Sequence, residues 1–123
     1  MPDKKTVLLV DDDADILTLL KHGLEKQGRN VVVTRHPSMV LRLVKETAPD
    51  LIVCDIKMDE RSGDQVALDL AGHATANKIP FVFLSSTVPT TAIGADGTVN
   101  GVWMLSKDAP KEQILARISE LLG

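Results

Sequence analysis

Five short apolar runs divide this chain: Val7-Leu8-Leu9-Val10, Val31-Val32-Val33, Leu51-Ile52-Val53-Cys54, Phe81-Val82-Phe83-Leu84 and Val102-Trp103-Met104-Leu105. They are continuous rather than alternating, which is the pattern of strands covered on both faces. Between them lie stretches with helical spacing. Ile16, Leu19, Leu20 and Leu24 form a stripe that ends near Gly28, and Val40, Leu43 and Val44 form another that ends before Pro49. Val66 and Leu70 mark a shorter segment after Gly63. The clearest stripe is the last, Ile114, Ile118 and Leu121 with Leu115 and Leu122 beside them, and Pro110 suits its first turn. This β-α alternation, repeated five times, predicts a doubly wound α/β fold, with a five-stranded parallel sheet, right-handed crossovers and helices on both faces. Ligand chemistry in such a fold gathers at the carboxyl ends of the strands.

One crossover is weak. Between the fourth and fifth runs, Thr87 to Asn100 holds Pro89, Thr90, Thr91, Gly94 and Gly97 in close succession, so its helix preference is low. The fourth helix is therefore expected to be short or irregular.

Length and composition exclude several classes. A chain of 123 residues is expected to form a single domain spanning 1–123, large enough for a core without disulfides. Its formal net charge of -3, with scattered basic residues, gives no general attraction to nucleic acid or to an anionic membrane. The aromatic residues Phe81, Phe83 and Trp103 offer no base-stacking surface. The single cysteine, Cys54, rules out an intramolecular disulfide and a CxxC metal site and fits a reducing cytoplasm. The N-terminal residues form neither a signal peptide nor a membrane span. His22, His36 and His73 lack metal-ligand spacing.

The acids carry the chemistry. Twelve are Asp and five are Glu, and Asp suits caps, turns and short-reach ligand sites. Polar residues follow four of the five runs at once: Asp11 and Asp12 after the first, Asp55 after the third, Ser85 and Ser86 after the fourth, Ser106 and Lys107 after the fifth. In a parallel sheet all of them reach one rim. Three carboxylates that close cannot all stay ionised unless a cation joins them or some take up protons. A hard, oxygen-seeking ion, Mg2+ above all, answers that need. A cation beside an aspartate, with a lysine and a hydroxyl opposite, is equipment for a phosphoryl group. Asp55, which stands alone, is the best nucleophile candidate, while Asp11 and Asp12 form a natural metal clamp. Asp13 and Asp15 are assigned instead to capping the first helix.

These pieces together resemble a response-regulator receiver domain along essentially the whole chain. The resemblance is carried by Val7 to Asp13, by Asp50 to Asp55 with Met58 and Gly63, by Ile79 to Ser86, and by Gly101 to Lys107. It implies a flavodoxin-like sheet in the order 2-1-3-4-5 and a phosphoacceptor at Asp55, supplied by a sensor histidine kinase or a histidine phosphotransfer protein. It implies Mg2+ held by Asp12, Asp55 and the backbone carbonyl of Lys57, with Asp11 acting through water. Ser85 would be the switch hydroxyl, the backbone of Ser86 would touch the phosphoryl group, and Lys107 would pair with its oxygens.

Some positions depart from the family pattern. Asp59 replaces a proline in the loop after the acceptor, which should leave that loop less restrained. Asp108 replaces a proline that often follows the lysine, which removes the usual reason for a cis bond there; a cap or dipole role at the last helix is the reading favoured for it. Met104 stands where a switch aromatic is typical, so that movement is either absent or softened. Lys57 lies at the mouth of the site, where it either meets the phosphoryl group or is simply solvated. Cys54 reads as a small apolar residue.

Two other classes compete. A phosphatase or phosphotransferase of the haloacid dehalogenase type would use Asp11 and Asp13, but Asp15 replaces the Thr or Val of its motif, and Asp55 would be idle. A receiver-like interaction module that no longer accepts phosphate would lack Asp12, Asp55 or Lys107, and all three are present. The expected function is a cytoplasmic signalling switch, not an enzyme acting on other substrates, whose Ser85 and following segment move on phosphorylation. Its downstream target, a protein partner or an output domain in the same chain, is not legible.

Overall fold

The computed structural model describes residues 4–73, 78–95, 97–100 and 102–123. In chain order the elements are β1 (Thr6–Val10), α1 (Ala14–Lys26), β2 (Asn30–Thr34), α2 (Val40–Thr47), β3 (Leu51–Asp55), α3 (Gly63–Ala71), β4 (Phe81–Ser85), β5 (Thr98–Val99), β6 (Val102–Ser106) and α4 (Lys111–Leu122). Pro37–Met39 and Thr90–Ala92 form single 3-10 turns.

The sheet order is β2-β1-β3-β4-β6-β5. Its first five strands are parallel and follow the expected 2-1-3-4-5 pattern, with β6 as the fifth long strand. The sixth strand corrects the expected count of five. Thr98 and Val99 pair antiparallel with Trp103 and Val102. Asn100, which follows β5, has φ +52°, in the left-handed region that Asn adopts more readily than most residues. The weak crossover thus becomes, among the described residues, one 3-10 turn and a short strand pair rather than a long helix, as its two glycines and Pro89 predict. β5 thus pairs along the outer edge of β6.

Strand periodicity divides the core. Val7, Leu9, Leu51, Val53, Val82 and Leu84 face α1 and α4, where they meet Leu17, Leu20, Leu24, Ile114, Leu115 and Ile118. Leu8, Val10, Ile52 and Cys54 face α2 and α3 and meet Val40, Val44, Val66 and Leu70. Strands buried on both faces read as unbroken apolar runs for this reason.

The helix ends were partly foreseen. Asp13 caps α1, its side chain accepting the N–H of Asp15 at 2.9 Å, and Asp15 lies in the first turn. Asp108 does not cap α4. Its N–H donates to Ser106 Oγ at 3.1 Å, and the cap position belongs to Pro110, one residue before the helix rather than within its first turn. The extended ψ of Pro110 (146°) explains the shift, since the chain turns into helix only after it. All peptide bonds described are trans, including Lys107–Asp108.

Candidate functional site

Three strand ends converge on one rim. Asp11 follows β1 and is buried, its N–H bound to Thr34 O at 3.2 Å. One carboxylate oxygen of Asp11 accepts the N–H of Asp13 at 3.0 Å, and the other lies 2.8 Å from Lys107 Nζ. Asp55 ends β3, also buried, and stands 3.5 Å from the same ammonium. Lys107 follows β6, and its N–H donates to Ser85 O at 2.8 Å, which ties the β4 and β6 ends together. Asp12 is half-buried at the mouth. Each of Asp11, Asp12 and Asp55 offers a carboxylate oxygen, and these atoms lie within 4.8 Å of one another.

Burial, and then the charge of Asp11, push the carboxyl of Asp55 up to about 6, although Lys107 pulls it down. Burial opposes the charge of Lys107, but hydrogen bonding and attraction to Asp11, and then Asp55, outweigh it, so its net shift is upward. One ammonium facing three carboxylates leaves the rim short of positive charge. The donor set is all oxygen and contains two buried acids, so it fits a small hard cation such as Mg2+ and poorly suits a softer metal.

The other expected residues have separate places. Ser85 is buried, and its hydroxyl accepts the N–H groups of Thr87 and Val88, each at 3.1 Å, with Thr87 Oγ1 also 3.1 Å away. In this state the hydroxyl caps its own turn. Ser86 is exposed beside it, and Lys57 is exposed in the loop after β3. Met104 is half-buried and lines a 310 Å³ cleft between Ile93, Gly94, Ala95 and Gly97 on one side and α4 on the other. Cys54 is fully buried; desolvation first, then the charges of Asp55, Asp11 and Asp64, push its thiol up and out of reactive range.

Gly63 has a steric role that spacing alone does not reveal. A Cβ there would lie 2.4 Å from the carbonyl oxygen of Asp55, so α3 can start behind Asp55 only on a glycine. The N–H of Gly63 also donates to Ile56 O at 2.7 Å.

Sequence reasoning missed the loop after β2. Arg35 donates twice to the backbone carbonyl of Asp12, from Nε at 3.2 Å and from a terminal nitrogen at 3.1 Å. His36 Nδ1 lies 3.0 Å from Glu60, whose other carboxylate oxygen accepts from Ser38 Oγ at 3.2 Å. The His36 bond, then that of Ser38, holds the Glu60 carboxyl below its usual range. These partners lie 22 to 24 residues apart, beyond any local pattern.

A parallel sheet in this order, with an acidic rim and a lysine at its carboxyl end, defines a flavodoxin-like fold built for phosphoryl chemistry. Comparison with known proteins sharpens that class. The model of the response regulator receiver domain matches residues 7–119, and the chain belongs to that family, the phosphorylatable switch of two-component signalling. It is 35% identical over 118 residues to the transcriptional regulatory protein PrrA of Mycobacterium leprae, covering 94% of this chain and 49% of that protein. The chain thus spans about half the length of the first curated relatives it matches. The structure of Vibrio cholerae chemotaxis protein CheY4 superposes with a TM-score of 0.81 at 20% identity, covering 97% of this chain and 99% of that one. The BeF3-activated receiver domain of Klebsiella pneumoniae RstA gives 0.78 at 24% identity, covering 96% and 98%. The haloacid dehalogenase reading falls with the family match, and Asp13, which it needs in the site, is spent on capping α1.

Proposed function

We propose that Asp55 accepts a phosphoryl group from a phosphohistidine on a sensor histidine kinase or a histidine phosphotransfer protein. A carboxylate oxygen of Asp55 attacks phosphorus as the P–N bond breaks, and the departing imidazole takes up a proton. Lys107 turns from Asp11 and Asp55 to the phosphoryl oxygens and neutralises charge there. Asp12, Asp55 and the Lys57 carbonyl, with Asp11 acting through water, would hold Mg2+, which would supply further charge neutralisation when bound. Ser85 then leaves its turn for the acyl phosphate, and the Ser86 N–H adds a donor. Release of the Thr87 and Val88 N–H groups loosens the segment leading to the cleft beside Met104. The domain in this reading catalyses only its own phosphorylation and dephosphorylation. Its target is a protein surface or an output domain, and the reading includes no direct contact with nucleic acid or membrane. This reading places the domain in the cytoplasm; no helix among the described residues is long and apolar enough to cross a membrane.

The ion-paired trio of Asp11, Asp55 and Lys107 carries this reading. Incubation with Mg2+ and a small phosphodonor, followed by intact mass, tests it. Wild type should gain one phosphoryl group and Asp55→Asn none. Absence of the gain in wild type overturns the reading and leaves a non-phosphorylated interaction module; an equal gain in the variant overturns it by placing the phosphoryl group on another residue.

A further inference from the structure

Metal-site loops lose affinity when they are free to wander, because binding must then order them first. Two loops meet this problem here: residues 11–13 between β1 and α1, and residues 56–62 between β3 and α3, whose position 59 is Asp rather than the restraining proline. Neither is left to itself. Arg35 grips the first at the carbonyl of Asp12, and His36 with Ser38 grips the second at Glu60. All three grips come from residues 35–38, which offer no carboxylate or thiolate of their own.

That short segment is well anchored. The hydroxyl of Thr34, a buried residue, accepts the N–H of His36 at 3.1 Å and donates to its carbonyl at 3.3 Å, which fixes the turn that presents Arg35 and His36 on opposite partners. Buried Pro37 opens the following 3-10 turn, and Val40 of α2 packs into the core. The segment therefore behaves as a rigid brace rather than as a third mobile loop.

We infer that Arg35, His36 and Ser38 are positioning residues that brace both loops of the acidic site, Asp12 on one side and Glu60 on the other, and thereby set its affinity for a divalent cation. The inference rests on the metal-binding reading of Asp11, Asp12 and Asp55. On one side the brace acts through backbone, where Arg35 touches the carbonyl of the residue whose carboxylate faces the site; on the other it holds the carboxylate of Glu60, three residues beyond Lys57. Because Arg35 and Glu60 are exposed, their loss should cost the fold little while costing the site its preorganisation.

Calorimetric titration of the chain with MgCl2 alone tests this, comparing wild type, Arg35→Ala, Glu60→Ala, the double variant and Glu60→Gln. Each alanine variant should weaken Mg2+ binding by about tenfold, with the urea midpoint nearly unchanged. Glu60→Gln keeps both a donor and an acceptor for His36 and Ser38 and should recover most of the loss. Phosphorylation of the alanine variants should slow at limiting Mg2+ and return toward the wild-type rate at saturation. Wild-type affinity in both alanine variants overturns the brace while leaving the phosphoacceptor reading intact. A slow rate that saturating Mg2+ does not restore also overturns it. No Mg2+ binding by wild type overturns both readings.

Discussion

Replacing Asp55 by Asn should stabilise the metal-free protein at neutral pH. Asp55 sits buried beside Asp11 with a single ammonium between them, and its carboxyl is raised from 3.8 to about 6. A carboxyl whose folded value lies above its unfolded one contributes its full stability below the unfolded value. That contribution is lost as pH rises through the folded value. The window here is therefore about pH 4 to 6. Two units correspond to about 3 kcal/mol at pH 7.5, an upper bound, because Asn also loses the 3.5 Å contact with Lys107. A gain of about 1–3 kcal/mol is expected, or about 4–12 °C in Tm for a chain of 123 residues. Urea denaturation in EDTA at pH 7.5, 6 and 4 measures it, and the advantage of the variant should shrink as pH falls. Saturating Mg2+ should stabilise wild type more than the variant, since binding favours the fold in proportion to affinity. An Asn variant no more stable than wild type at pH 7.5 in EDTA, or an advantage that grows toward pH 4, would refute the electrostatic account of the rim.

Other consequences are open to direct measurement. Mg2+ affinity of wild type should fall as pH drops through about 6, by up to about tenfold per unit, because the ion must displace a proton from Asp55; calorimetry between pH 5 and 8 reads this. Lys107→Met should destabilise the apo protein by about 2–4 kcal/mol at pH 7.5 by leaving buried carboxylates without their ammonium, and should abolish phosphorylation even at high Mg2+. Gly63→Ala should cost about 1–3 kcal/mol in urea denaturation, because its methyl group would meet backbone rather than a pliable side chain. Cys54 should resist a thiol reagent in the native state and react once in denaturant, as its burial and raised pKa require.

The parallel sheet and its rim are readable in the sequence pattern alone, whereas the strand order came from the family resemblance. Strands buried on both faces must be apolar without interruption, so they advertise themselves, and a parallel sheet brings every strand end to one side whatever the details. Asp11, Asp55 and Lys107 were legible for that reason, and Asp13 was legible as a cap because capping is a contact two residues long. The pairing of β5 with β6 was masked by the expectation of a helix there. Only the tertiary structure decided which partners Lys107 takes, that the Ser85 hydroxyl closes its own turn, that Gly63 must lack a side chain, and that Arg35, His36 and Ser38 span two loops. The Lys107 pairs and the two-loop span depend on distances between residues tens of positions apart, Gly63 on how α3 packs against the end of β3, and Ser85 on which way its hydroxyl turns. Periodicity encodes which face a residue occupies, whereas contact across loops depends on how the packed elements are placed.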